Sequence, residues 1–320
     1  MTKTNIEREK GQYFTKGNCF ELLPFVEWFK SIPEYGSITL IEPFAGDGSI
    51  KSLMKQAGFN NDWKLYDLMP KNKNITERDS IINCPMGICI ITNPPYLAKN
   101  SATRRGLKYP ETNYDDVYKL ALEKMLQSAP YVAAIIPESF VTSGLFLERV
   151  SRIISLRLKM FDDTDCPVCL ALFSPSDGFK IYSNNDLIGD MVELKKYLPK
   201  PKIRQSWIFN SPKGNVGLLA VDNTKNNSIK FIKGSMIPSS VIKVSSRAIT
   251  RISVDVNIKN LDKYLMIANK LLVEFRINTH DVFFTSFKGI REDGQYRRRL
   301  DFRLARGILD LAFEEYMNAN

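Results

Sequence analysis

The stretch Ile38-Thr-Leu-Ile-Glu-Pro-Phe-Ala-Gly-Asp-Gly-Ser49 decides the fold. Ile38 to Ile41 is a short apolar run of strand type, Glu42 to Gly48 is a glycine-bearing turn, and Ser49 to about Ala57 has the spacing of a helix. A strand, a glycine turn and a helix in that order open a βαβ unit. Gly46 and Gly48 let the backbone approach a ligand, and the free N–H groups at the helix start point toward it. The spacing is G-x-G with no third glycine in register, which departs from the dinucleotide fingerprint and weakens a nicotinamide enzyme.

Downstream, the strand Trp63 to Tyr66 ends at Asp67, about twenty residues beyond the glycines, where an acid can accept hydrogen bonds from a ribose. Asp79 stands where another strand-end loop is expected. Taken singly, each of these acids is more often a turn or cap residue. The apolar run Ile88-Cys89-Ile90-Ile91 then reads as a buried parallel strand that stops at ITNPPY, Ile91 to Tyr96. Pro94 and Pro95 fix their own φ and bias the residue before each toward extended geometry. Asn93 and the Pro94 carbonyl become two nearly rigid acceptors at a strand end, and Tyr96 adds a flat face for a planar ring. The bland reading is a Pro-Pro turn with a tyrosine packed nearby.

A polar, basic segment follows from Leu97 to Asn113, with Lys99, Arg104, Arg105 and Lys108. The pattern then predicts a helix over Val117 to Gln127, a strand over Tyr131 to Ile136 and a helix over Leu145 to Ile154. A strand ending near Phe161 should pair as an antiparallel hairpin with Val168 to Phe173. Upstream, Cys19 to Lys30 is amphipathic and predicts a helix. The alternation implies a doubly wound α/β sheet with ligands at the carboxyl edge of its strands.

After Ser174 helix periodicity fades, and short β-like runs (Phe179 to Tyr182, Val216 to Val221, Ile229 to Ile232, Val241 to Val244) alternate with turns. The predicted division is residues 1–174 and 175–320, the second a smaller, mixed, β-rich domain ending in helices over Leu261 to Phe275 and Leu300 to Tyr316. The first region carries 21 Lys/Arg against 20 Asp/Glu and the second 24 against 15, so nearly all of the net +10 sits in the second. Localised positive charge suits a polyanion. Arg297, Arg298 and Arg299, flanked by Tyr296 and Phe302, suit phosphates and exposed bases; a solvated helix entrance is the competing reading.

Five cysteines do not suggest a disulfide framework, and a single histidine, His280, makes a zinc site hard to assemble. No apolar run approaches the roughly 20 residues of a membrane helix, and the charged start lacks an apolar segment behind it. A cytoplasmic chain without membrane or metal partners is the expectation.

Together GQYFT (Gly11 to Thr15), EPFAGDG, Asp67, Asp79 and ITNPPY resemble the S-adenosylmethionine-dependent amino-methyltransferases that act on DNA adenine N6, in the class with cofactor motifs first and target-recognition domain last. The resemblance covers roughly residues 1–174 and implies a Rossmann-like methyltransferase sheet ending in an antiparallel hairpin. It implies that Tyr13, Phe14 and Thr15 lie over the methionine moiety of S-adenosylmethionine. Glu42, Pro43, Phe44, Ala45, Gly46 and Gly48 would wrap its amino-acid part, Asp67 would hold the ribose, and Asp79 with Ile81 the adenine; Asn93 adjoins the same pocket. Asn93, Pro94, Pro95 and Tyr96 would act on an adenine rotated out of double-stranded DNA, with Tyr96 and Phe161 as aromatic neighbours and Arg297 to Arg299 as further contacts. A restriction endonuclease acting on the same site is an implied partner. Enzymes methylating RNA adenine or guanine, or a protein glutamine, share NPPY-type motifs, and an inactive nucleic-acid-binding module is a different class. The basic second half favours nucleic acid, and the intact glycine turn and ITNPPY together favour an enzyme.

Overall fold

The computed structural model describes residues 17–157, 160–161, 166–175 and 178–319. The chain divides into two compact units, Met1–Asp190 and Met191–Asn320, each considered by itself.

In the first unit the elements are α1 (Leu23–Lys30), β1 (Leu40–Glu42), α2 (Ser49–Gln56), β2 (Trp63–Asp67), β3 (Thr76–Glu77), β4 (Cys89–Thr92), α3 (Lys99–Arg104), α4 (Val117–Ser128), β5 (Tyr131–Pro137), β6 (Val150–Ser155), β7 (Val168–Phe173), β8 (Lys180–Ser183) and β9 (Asp186–Asp190). Pro24 in the first turn of α1 presets the helical φ where no intrahelical N–H is needed, and Phe25, Trp28 and Phe29 turn inward at helical spacing. Every residue of β4 and β7 is buried, which is what their unbroken apolar runs require of strands covered on both faces.

One nine-stranded sheet results, in the order β3-β2-β1-β4-β5-β7-β6-β8-β9. β3, β2, β1, β4 and β5 run parallel, and β7 is antiparallel to both β5 and β6. This is the predicted doubly wound, Rossmann-like sheet; the antiparallel hairpin expected at its end is the β6-β7 pair, and β8 and β9 extend the sheet beyond it. The carboxyl ends of the parallel strands, Glu42, Asp67, Glu77, Thr92 and Pro137, therefore share one edge. Strand order reverses between β1 and β4, so a crevice opens at those two ends.

In this unit three expectations are corrected. The helix predicted over Leu145 to Ile154 is β6, because Val150, Ile153 and Ile154 are claimed by pairing with β7 on one side and β8 on the other. That strand ends at Ser155, so Phe161 does not close a strand. Phe179 to Tyr182, placed by composition beyond the boundary at Ser174, contributes β8, which pairs in parallel with β6; the compact unit accordingly runs on to Asp190.

The second unit contains α5 (Met191–Lys195), β10 (Ile208–Phe209), β11 (Val216–Leu219), β12 (Lys230–Lys233), β13 (Ile249–Ser253), α6 (Leu261–Thr279), β14 (Thr285–Ile290), β15 (Tyr296–Arg299) and α7 (Phe302–Asn318). β10-β13-β11-β12 form an antiparallel sheet and β14-β15 a hairpin. Val241 to Val244 is not a strand: Ser239–Val241 is a single 3-10 turn, and Val244 is exposed. α6 and α7 start where Asn260 and Asp301 accept N–H bonds from Lys263 and Leu304, at 3.0 and 2.9 Å. Their apolar faces (Tyr264, Ala268 and Leu272; Leu304, Ile308 and Ala312) share one core with Val216, Leu218 and Ile252 of the sheet.

A buried charge network fastens this unit. Asp222, fully buried, receives Arg276 in bidentate fashion at 2.9 and 2.8 Å and Arg291 at 3.1 Å, with N–H bonds from Ser228 and Ile229. Asp281 and Asp293 neutralise the remaining charge of the two arginines. No helix among the described residues is long and apolar enough to cross a membrane.

Candidate functional site at the strand carboxyl edge

β1 delivers Glu42 to the edge, and the chain then turns through Pro43, Phe44 and Ala45 into the glycines. Gly46 and Gly48 have φ of 56° and 84°, the left-handed region where a side chain is strained, and Gly48 caps α2. Pro43 and Ala45 are buried and Phe44 half-buried, so the turn presents backbone. Glu42 is 1% exposed, and its Oε2 has no hydrogen-bond partner among the described residues. Burial, reinforced by the nearby Asp47 and Asp67 carboxylates, pushes its carboxyl well above the ordinary range. A buried carboxyl with an oxygen that meets no partner among the described residues, beside a glycine turn, fits an incoming cationic amino group.

Asp67 is buried, and both of its oxygens are engaged: Oδ2 accepts the Gly46 N–H and Oδ1 the Met69 N–H, each at 2.8 Å. It braces the glycine turn, and each oxygen keeps one lone pair for a hydroxyl. Asp79 lies two residues beyond β3 and accepts the N–H groups of Ile81 and Ile82 at 3.0 and 3.2 Å. Arg78 fixes this turn by bonding Asn83 at 2.7 and 2.9 Å while lying 5.2 Å over the Tyr66 ring. Glu42, Gly46, Gly48, Asp67, Asp79, Ile81 and Asn93 thus stand at or just beyond one edge of the sheet. Tyr13, Phe14 and Thr15 lie outside the described residues.

Across the switch point β4 ends at Thr92, and Asn93, Pro95 and Tyr96 are half-buried around a buried Pro94. Tyr96 places its hydroxyl 2.5 Å from Asn93 Oδ1 and 2.5 Å from the Ile135 carbonyl oxygen of β5. Its ring meets Tyr118 and Phe161 edge-to-face, with centroids 6.2 and 6.4 Å apart. Phe161 is 2% exposed and belongs to the core cluster.

Asp116, which the sequence reading passed over, closes the basic segment onto the site. Its Oδ1 accepts the Leu97 N–H at 3.0 Å and also caps α4 through Tyr118. Burial pushes its carboxyl up to about 6 against the lowering effect of those two bonds. Glu138, also passed over, is buried at the end of β5 and contacts Ser155 Oγ. Neither stands in a recognisable motif; only the pairing of β5, β6 and β7 brings Glu138 to the edge.

Arg149 lines an open pocket of roughly 530 Å³ at the opposite, amino edge with Met86, Gly87 and residues 126–130. Its guanidinium bonds the carbonyls of Leu126, Ala129 and Pro130, so it caps the end of α4.

In the second unit, Arg297 Nε donates to the Asp222 carbonyl at 2.7 Å, and its guanidinium lies 5.1 Å over Phe287. Arg298 bonds Ser286 Oγ at 2.5 Å. Arg299 is depressed by burial and then by the neighbouring positive charge of Arg247. A second basic and aromatic group, unseen in the sequence, is Arg306 at 4.8 Å over Phe209, which stacks on Phe302 at 4.3 Å.

No protein-family model and no curated protein sequence matches the chain. Solved structures similar to its fold include a class I S-adenosylmethionine-dependent methyltransferase from Listeria monocytogenes, at 10% identity and a TM-score of 0.38, covering 53% of this chain and 66% of that one. Another is the methyltransferase subunit of a type I restriction-modification system from Streptococcus thermophilus, at 14% identity and 0.42, covering 59% and 53%. The M protein of the type I restriction enzyme EcoKI is similar at 11% identity and 0.35, over 82% and 70%. The chain spans between half and two thirds of the first two proteins.

Proposed function

We propose that this protein is a methyltransferase that uses S-adenosylmethionine to methylate the N6 amino group of adenine in double-stranded DNA. One observation carries the reading. At the switch point of the sheet, a glycine turn with a buried Glu42 and the Asn93-Pro94 acceptor pair follow the carboxyl ends of adjacent parallel strands.

S-adenosylmethionine, when bound, supplies a sulfonium methyl whose C–S electron pair stays with sulfur while the accepting nitrogen gains the methyl and loses one proton. Glu42 receives the amino group of its amino-acid part, the Gly46 to Gly48 backbone lets that part approach, and Asp67 and Asp79 meet the ribose and adenine. Asn93 Oδ1 and the Pro94 carbonyl accept the two hydrogens of the target amino group. An aromatic amine is a poor nucleophile because its lone pair is delocalised into the ring. Acceptors off the ring plane localise that pair, so positioning and electrostatics supply the catalysis.

DNA as the polymer is supported by the charge excess beyond residue 174 and by the exposed Lys99, Arg104 and Arg105 in the segment after the motif. The Arg306-Phe209-Phe302 stack and Arg297 to Arg299 are the contacts we assign in the second unit. A restriction endonuclease cleaving the same sequence is the expected partner of such an enzyme.

Binding of the methyl donor tests the reading. Burial raises the Glu42 carboxyl well above its ordinary range, and an ammonium partner favours the ionised form. Binding should therefore be accompanied by proton release and tighten as pH rises toward the raised value. Calorimetry in two buffers of different ionisation enthalpy measures this. Wild-type protein should bind with proton release, and Glu42→Gln should bind more weakly with none. Absence of binding by the wild type would remove the donor and the reading with it.

A further inference from the structure

In the second unit, the sheet and the β14-β15 hairpin meet along one short segment, Ala220-Val221. The Ala220 N–H donates to the Ala248 carbonyl on one side, and the Ala220 carbonyl accepts the Leu300 N–H on the other, both at 2.8 Å. Val221 forms an antiparallel bridge with Arg299, which is paired in turn with Thr285 of β14. Residues paired in this way project from one face, and successive residues along a strand project from opposite faces. Leu218, Ala220 and Leu300 are buried in the core, so Val221, Arg299 and Thr285 lie on the outward face. Arg297 shares that face, over Phe287, whereas Arg298 projects from the opposite one, where it bonds Ser286. Arg247, exposed, immediately precedes Ala248 and so flanks the same segment from the side opposite Arg299.

The two guanidiniums lack what the buried arginines of this unit have. Arg276 and Arg291 are each met by carboxylates, but among the described residues neither Arg247 nor Arg299 makes a side-chain hydrogen bond or ion pair. Arg299 is half-buried, and burial foremost, then the Arg247 charge, depresses it; Asp301 offsets this in part, although its Oδ1 already accepts the Leu304 N–H at 2.9 Å. Arginine keeps its proton, so the unmet desolvation and the repulsion both persist until an anion arrives. We infer that Arg247 and Arg299 together grip one phosphate of a nucleic-acid backbone, as a clamp across the Ala220-Val221 segment. A polymer is favoured over a free phosphate because the positive charge continues along the same face: Lys230 and Arg251 project from it, paired with Leu219 and Gly217. A single small anion needs no such extension, whereas duplex DNA presents a charge about every 1.7 Å of its axis. Duplex DNA as the polymer rests on the methyltransferase reading above; the clamp itself does not.

Two measurements on the 320-residue protein test it. In the wild type, modification of arginines by phenylglyoxal, read by mass spectrometry, should be slowed at Arg247 and Arg299 by a short duplex of mixed sequence, and not by inorganic phosphate at the same concentration of phosphate groups. This footprint does not depend on how any variant folds. In the double variant Arg247→Gln/Arg299→Gln, affinity for the duplex should fall about 10- to 100-fold, alike for unrelated sequences, as expected for charge-assisted bonds to a backbone. The slope of log affinity against log salt should become shallower by about 0.9, the share of one phosphate. A loss near twice that would show two phosphates held separately and overturn the clamp, as would unchanged affinity in the variant. Tight duplex binding by the wild type with both arginines still reactive overturns the clamp and leaves the DNA reading standing. Protection by inorganic phosphate alone, or by structured RNA alone, overturns duplex DNA as the occupant. Failure of the wild type to bind any duplex overturns the DNA reading itself.

Discussion

Replacing Asn93 by Ala should lower methyl transfer by at least about 10²- to 10³-fold, the cost of removing one preorganised hydrogen-bonding group from a reacting centre. Affinity for S-adenosylmethionine should stay within about threefold, because the groups we assign to it lie chiefly on the β1, β2 and β3 side of the crevice. Alanine removes the amide while Pro94 and Pro95 keep the backbone in place. The lost term is specific to the transition state, so kcat should carry the effect and KM little of it. Single-turnover assays with the purified variant measure this. Activity within a few fold of the wild type would mean that the Pro94 carbonyl alone suffices or that the chemistry lies elsewhere.

The second large effect is on stability. Asp222→Ala should destabilise the second unit by about 3–5 kcal/mol, the usual cost of breaking a buried ion pair on one side. Three groups depend on this carboxylate: the Arg276 guanidinium, the Arg291 guanidinium and the turn that supplies the Ser228 and Ile229 N–H groups. Burial by itself would raise the Asp222 carboxyl, but Arg276 and those N–H groups hold it below its ordinary value. A lowered pKa means that the stability is present at neutral pH, above the unfolded-state value, and is lost as pH falls through the folded value. The gap between wild type and variant should therefore be largest near pH 7 and narrow in acid. Hydrogen exchange in the full chain reads it locally, with α6 and β15 opening faster in the variant and the first unit unchanged. Equal exchange in both proteins would show that Asp281 and Asp293 suffice to hold the arginines.

What was legible in the sequence is contiguous. Ile38 to Ser49 holds its strand, its left-handed glycines and its helix within twelve residues, and the run ending at ITNPPY is a strand with its own stop signal. Both therefore fall where their local chemistry puts them. In β6, Val150, Ile153 and Ile154 satisfy a helical spacing as well as an extended one, and only β7 and β8 decide between them. β8 follows a turn-rich stretch that resembles a linker in sequence, although the compact unit continues to Asp190. A cut after Ser174 would strip two strands from the sheet.

The illegible part of the site has the same origin. Tyr96 reaches a carbonyl 39 residues away, and Asp222 is joined to Arg276 and Arg291 across 54 and 69 residues. No spacing rule encodes such pairs. The sequence also placed Arg297 and Arg298 on a basic surface without disclosing that the Asp222 carbonyl and Ser286 hold them.

Methyl transfer to an adenine amino group in DNA is open to one direct measurement. The 320-residue protein is incubated with methyl-tritiated S-adenosylmethionine together with, in separate reactions, duplex DNA of mixed sequence, structured RNA or unfolded protein, and the labelled polymer is hydrolysed to identify the modified unit. We predict label in the duplex, recovered as N6-methyladenine, and none with Asn93→Ala. Label confined to RNA or protein, or absent from every polymer although the donor binds, would contradict the account.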